Sequence, residues 1–137
     1  DRFIYCFMSD GEMDEGNTWE AIMLAGKNKL RNLIAVVDRN NIQLEGFTED
    51  IMPLEPFHAK WKAFNWHVIE VSGHDFRALN EVIEEAQDIY EKPTVIIAHT
   101  IPGKGVKEFE RDYKWHGKPP SKEEGEMALK ELKNLRF

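Results

Sequence analysis

The chain has 137 residues, a length that fits one domain and leaves no room for two ordinary ones. Eighteen Lys and Arg against 25 Asp and Glu give a net charge of −7, which disfavours a nucleic-acid or anionic-membrane surface as the main function. Hydrophobic residues make up 42%, enough for a core. The longest apolar runs, Phe3–Met8 and Leu33–Val37, fall far short of the ~20 residues of a spanning helix, and no basic segment leads into an apolar signal. The single Cys6 excludes an internal disulfide and fits a reducing, cytoplasmic compartment.

In chain order, the first element is Arg2–Met8, whose unbroken apolar character predicts a strand covered on both faces. Such a strand at the very start lacks neighbours, so the sequence reads as part of a larger unit. Asn17-Thr18-Trp19-Glu20 has capping-box spacing and opens a helix. Ile22, Met23, Leu24 and Ala25 make that helix apolar on most sides and predict deep burial, and Lys27 and Lys29 suit its C-terminus. A second strand spans Asn32–Asp38, and Arg39–Glu55 follows without periodicity. Pro56–Phe64 predicts a short helix, His67–Val71 a third strand, and Asp75–Tyr90 the cleanest amphipathic helix. The fourth strand is Thr94–His99. Ile101–Pro120 is again aperiodic, and a Ser121–Glu124 capping box starts a helix that runs to about Leu135. Alternating strands and helices imply an α/β fold: a doubly wound parallel sheet with helices on both faces and right-handed crossovers.

Ligands of such sheets bind beyond the carboxyl ends of the strands. That rule selects Ser9-Asp10-Gly11-Glu12, Asp38–Ile42 and the 101–120 loop, long aperiodic loops being commonly functional. Asp10 offers a carboxylate and Asn40 an amide carbonyl, oxygen donors suited to Mg²⁺ bridging to phosphate, and the helix start near Thr18 adds partial positive charge. The same residues also suit ordinary turns. Arg111, Lys114 and Lys118 are cations for a sugar phosphate or for solvent. Cys6 reads as a small buried hydrophobe, the tryptophans as core or interface, and His58, His67, His74 and His99 as structural or solvent-facing.

Asp10-Gly11 followed by Asn40 and Ile42 resembles the thiamin-diphosphate motif, with Ser9 where its first Gly usually stands. The segments Ser9–Ala21, Asn32–Asn41, Gln43–Gly46, Ser72–Asp75, Thr100–Val106 and Trp115-His116-Gly117 together resemble transketolase, in family order, from about residue 4 to the end. The resemblance implies that Asp10, Asn40 and the Ile42 carbonyl hold Mg²⁺ or Ca²⁺. It also implies that Gly11 and Glu12 meet the cofactor, that Glu15 and Glu20 join an acidic network at an interface between subunits, and that His116 reaches diphosphate and sugar. Glu20 also reads as a simple capping residue, Glu15 as a solvated loop carboxylate, and His116 as a packing residue of its loop.

The implied cofactors are thiamin diphosphate and a divalent metal, and the implied reaction is two-carbon ketol transfer between sugar phosphates. The implied partners are the upstream part of this domain and a pyrimidine-binding domain or subunit, in a homo- or hetero-oligomer. On this reading residues 1–137 are a single, incomplete domain, inactive without its partner segment. Two other readings stand beside it: another thiamin-diphosphate enzyme component, of the deoxyxylulose-phosphate synthase or 2-oxoacid dehydrogenase type, or a non-catalytic cofactor-binding or assembly subunit.

Overall fold

The structure is a computed structural model that describes residues 2–135. Asp1, Arg136 and Phe137, included in the expected 1–137 span, lie outside the described residues. Four strands form one sheet: β1 (Ile4–Ser9), β2 (Leu33–Arg39), β5 (His67–Ser72) and β6 (Thr94–His99). Their order is β1-β2-β6-β5, and every pairing is parallel. Between β2 and β5 lie a two-stranded hairpin, β3 (Ile42–Gln43) with β4 (Gly46–Phe47), then α2 (Thr48–Ile51) and α3 (Phe57–Ala63). The helices α1 (Gly16–Asn28), α4 (Phe76–Gln87) and α5 (Lys122–Asn134) complete the fold.

The predicted alternation is therefore present, and two core layers flank the sheet. On one face Ile22 and Ala25 of α1 and Phe57 and Trp61 of α3 pack with Val37 and Val95. On the other, Ala86, Val82 and Ile83 of α4 pack with Ile34 and Ile96. Trp61 is fully buried, with ring centroids 6.1 Å from Phe57 and 4.9 Å from Trp66. The Trp66 indole N–H donates to the Ile22 carbonyl at 2.9 Å, so burial leaves that donor satisfied. Gly26 lets α1 meet the chain after α3, because a Cβ there would lie 1.9 Å from the Phe64 carbonyl oxygen.

Several expectations are corrected. Helix α1 starts at Gly16, and its N-cap is Glu15 with no side-chain cap, so Asn17 and Glu20 form no capping box. The first turn is held instead by the preceding 3-10 turn, Gly11–Asp14: Thr18 Oγ1 donates to the Glu12 carbonyl at 3.1 Å and Trp19 Nε1 to the Met13 carbonyl at 2.7 Å. Deep burial of α1 is also wrong on one side, since Met23 and Leu24 are exposed. Strand β1 sits at the sheet edge rather than between neighbours, with Ile4 and Phe7 58% and 76% exposed, and Cys6 is exposed, not buried. The aperiodic Arg39–Glu55 stretch holds the hairpin and α2. Asp75 caps α4 by accepting from the Arg77 and Ala78 amides, and the Ser121–Glu124 capping box is formed as read.

Candidate functional site

The register pairs Ser9 of β1 with Asp38 of β2, so two segments far apart in sequence leave the sheet side by side. The Asp10 amide then donates to the Asp38 carbonyl at 3.1 Å. Asp10 is wholly buried. Its Oδ2 accepts from the Asn41 amide at 2.7 Å and from Arg39 Nη1 at 3.0 Å. Its Oδ1 is buried and accepts from nothing among the described residues. Burial pushes the Asp10 carboxyl above its ordinary range, against the pull of the Asn41 amide and the Arg39 guanidinium.

Asn41 adopts a left-handed conformation, φ 66°, and its N–H meets Asp10. Asn40 is oriented by its neighbours: its Nδ2 donates to Asp38 Oδ2 at 3.2 Å and its Oδ1 accepts from the Ile42 amide at 2.9 Å. Thr100 Oγ1 donates to the other Asp38 oxygen, tying the end of β2 to the end of β6.

Two adjoining clefts lie over this corner. One, of about 540 Å³, is lined by Asp38, Asn40, Ile42, His74, Thr100 and the 101–120 loop, including Trp115, His116 and Lys118. The other, of about 360 Å³, is lined by Ser9, Gly11, Glu12, Glu15, Asn40, Ile42 and His116. The predicted residues Gly11, Glu12, Glu15, Asn40, Ile42 and His116 are thus brought together around buried Asp10. Glu20 is not among them and stands exposed on α1. Of the three candidate cations Lys118 alone lines either of these two clefts, with its Nζ 4.3 Å from the centroid of Trp115, which is itself packed on Phe109.

Ser9 fits where a Gly was expected. It ends β1 with negative φ, and its Oγ accepts from the Glu12 amide at 3.3 Å. The Glu12 carboxylate turns back to accept from the Ser9 amide at 2.7 Å, so it is occupied within the turn. A Cβ on Gly11 would come closest to the Gln43 Cβ, at 3.4 Å, an ordinary contact, so packing within this chain does not require a glycine there, and Gly11 lines the second cleft.

Sequence reading missed Arg39. It is buried, and its Nη1 donates to Asp10 and to Thr48 Oγ1 (2.8 Å) while its Nη2 donates to Glu49 (2.7 Å) and Glu55 (3.2 Å). Burial disfavours its charge, but the bonds to Glu49, Asp10 and Glu55 outweigh that and keep it charged.

A divalent cation fits the donors present. An unpartnered buried carboxylate oxygen, an amide oxygen and a backbone carbonyl are hard oxygen ligands of the kind Mg²⁺ and Ca²⁺ take with phosphate and water. Among the described residues no three His, Cys, Asp or Glu side chains gather into a metal cluster.

Fold and geometry together define a parallel α/β protein with two adjoining clefts at its strand ends, where ligands of such sheets bind. The chain belongs to the family described as transketolase, thiamine diphosphate binding domain, which matches residues 1–134. It is 44% identical over 133 residues to one of the subunits of an apulose-4-phosphate transketolase from Actinobacillus succinogenes, covering 97% of this chain and 48% of that protein. It is 41% identical over 129 residues to 6-deoxy-6-sulfo-D-fructose transketolase subunit SqwG of a Clostridium species, covering 94% and 47%. The chain thus spans about half the length of these relatives. A solved transketolase from Campylobacter jejuni superposes with a TM-score of 0.89 at 36% identity, over 97% of this chain and 21% of that one.

Proposed function

We propose that this chain anchors the metal and diphosphate of thiamin diphosphate in a transketolase that moves a two-carbon ketol unit between sugar phosphates. The observation that carries this is the buried Asp10 Oδ1, unpartnered among the described residues, on a carboxylate tied to the Asn41 amide between Asn40 and Ile42, which line the clefts together with His116. Asp10, Asn40 and the Ile42 carbonyl would hold Mg²⁺ or Ca²⁺, and Gly11 leaves the diphosphate room against the backbone. The cofactor, when bound, supplies the carbon–carbon bond chemistry.

The chain's own residues bind, orient and handle protons. Asp38 accepts from the Asn40 amide nitrogen and so fixes which way that amide faces. His116, exposed at the edge of both clefts, stabilises charge or transfers a proton at the sugar. Lys118 supplies positive charge for a substrate phosphate. Glu15, which lines the second cleft, and Glu20, exposed on α1, join an acidic network that meets a complementary chain. A separate pyrimidine-binding subunit is supported by the subunit names of the relatives, and a further part of this domain by the match over only about half the length of each. The same names favour this reading over the other thiamin-diphosphate enzyme types. A cytoplasmic location fits the single cysteine. Among the described residues no helix is long and apolar enough to cross a membrane.

The test is Asp10→Asn in the assembled complex. Ketol transfer should fall by at least about 100-fold and thiamin diphosphate retention should be lost, measured by coupled assay and by fluorescence of the released cofactor. Activity and cofactor content equal to wild type would overturn the reading. Cofactor bound by the wild-type complex without turnover on any ketose phosphate would favour the non-catalytic binding role.

A further inference from the structure

The mixed donor set needs Asp10 to present one particular oxygen. A free carboxylate rotates about χ2 and exchanges its two oxygens, so something must break that equivalence. Here Oδ2 receives both the Asn41 amide and Arg39 Nη1, while Oδ1 receives none among the described residues. The guanidinium is in turn held by Thr48, Glu49 and Glu55, and its carbon lies 5.5 Å from the centroid of the Phe57 ring. It therefore cannot follow Asp10 if the carboxylate turns. One cation shared among Asp10, Glu49 and Glu55 leaves the cluster net negative, so the arginine does not cancel the attraction for a metal.

We propose that Arg39 is a positioning residue for the metal site: it clamps Asp10 through Oδ2 and so reserves Oδ1 for a divalent cation. The proposal rests on the reading of Asp10 as a metal ligand. Lysine keeps the charge but lacks the planar fork that serves four acceptors at once, so Arg39→Lys isolates geometry from charge. Arg39→Gln removes the charge as well. For an electrostatic bystander, losing a positive charge beside a cation tightens metal binding; for a clamp it weakens it.

The experiment measures Mn²⁺ binding by electron paramagnetic resonance in the full chain in its complex, without thiamin diphosphate, with thermal melts alongside. The expected result is a Kd for Mn²⁺ at least about 10-fold weaker in both Arg39→Lys and Arg39→Gln, at near wild-type folded content. Wild-type affinity in Arg39→Lys, or tighter binding in Arg39→Gln, overturns the proposal while Asp10→Asn still loses Mn²⁺. If Asp10→Asn binds Mn²⁺ like wild type, the metal-ligand reading itself fails and the clamp with it. Should neither Arg39 variant assemble, Glu55→Ala is compared with Asp50→Ala, which removes the same charge from the same segment without touching Arg39. About threefold weaker Mn²⁺ binding in Glu55→Ala than in Asp50→Ala supports the clamp, and equal affinities overturn it.

Discussion

Among the described residues the buried charges Arg39 and Asp10 are paired, each held by further fixed partners. An exposed carboxylate with fixed partners lies at the far edge of the sheet. Glu70 of β5 is bonded by His99 Nε2 at 2.8 Å and His58 Nδ1 at 2.7 Å, which hold its carboxyl below the usual range. The sign follows from linkage: a depressed folded pKa stabilises above the unfolded value of about 4.3 and loses that contribution as pH falls through the folded value. Wild type should therefore melt higher than Glu70→Gln near pH 6, and the gap should close toward about pH 3 in parallel thermal melts. The group is partly exposed, so the gap near pH 6 is expected to stay below about 1 kcal/mol. At this scale the candidate site was half legible. Asp10, Gly11 and Asn40 could be read as candidates from their place at the strand ends and from the resemblance to the thiamin-diphosphate motif, although small polar residues also suit ordinary turns. Arg39 could not, because a charged residue after an apolar strand looks solvated until the strand ends around it are seen. Cys6 was misread for the related reason that nothing in a run of apolar letters separates an edge strand from a central one.

Among the elements, the junction of α1 with the α3–β5 segment is the least forgiving. Alanine at position 26 would gain up to about 1 kcal/mol of helix propensity. Its Cβ, however, would sit 1.9 Å from the Phe64 carbonyl oxygen, a backbone atom that cannot swing aside. Overpacking of this kind costs about 1–3 kcal/mol and wins. Gly26→Ala should lower stability by about 1–2 kcal/mol in chemical denaturation of the complex, and a neutral or stabilising result would show that α1 shifts freely. The strands and the long helices were visible in the sequence because unbroken apolar, β-rich runs and 3.6-residue periodicity each leave a pattern, although the run alone overstated the burial of β1. The start of α1 was not, because its turn is held by Thr18 and Trp19 reaching back to carbonyls, which no capping signature encodes.

For the molecule as a whole, the β1 side of the sheet is open. Ile4 and Phe7 on β1 expose apolar side chains, as do Met23 and Leu24 on α1, and among the described residues β1 has one neighbour in the sheet. Single exposed apolar residues are ordinary, but those on an edge strand add an open backbone ladder. Purified alone, the chain should therefore self-associate, with scattering that rises with concentration and falls when a complementary chain is added. A concentration-independent melt of a monomer would argue against this.

The order of the sheet also sets a timetable. Strand β2 finds its second neighbour, β6, 60 positions later, as Ile34 against Thr94, and β5 joins the sheet only through β6. The last strand in sequence is thus the one that links the two halves. Contacts this distant fold slowly, because the loop must close before any pairing rewards it. During synthesis, residues 33–93 must wait with two open strand edges until 94–99 leave the ribosome. The 101–120 loop, with His116, follows later still. The ends of β1 and β2, and with them Asp10 and Arg39, can therefore come together before the cleft above them exists.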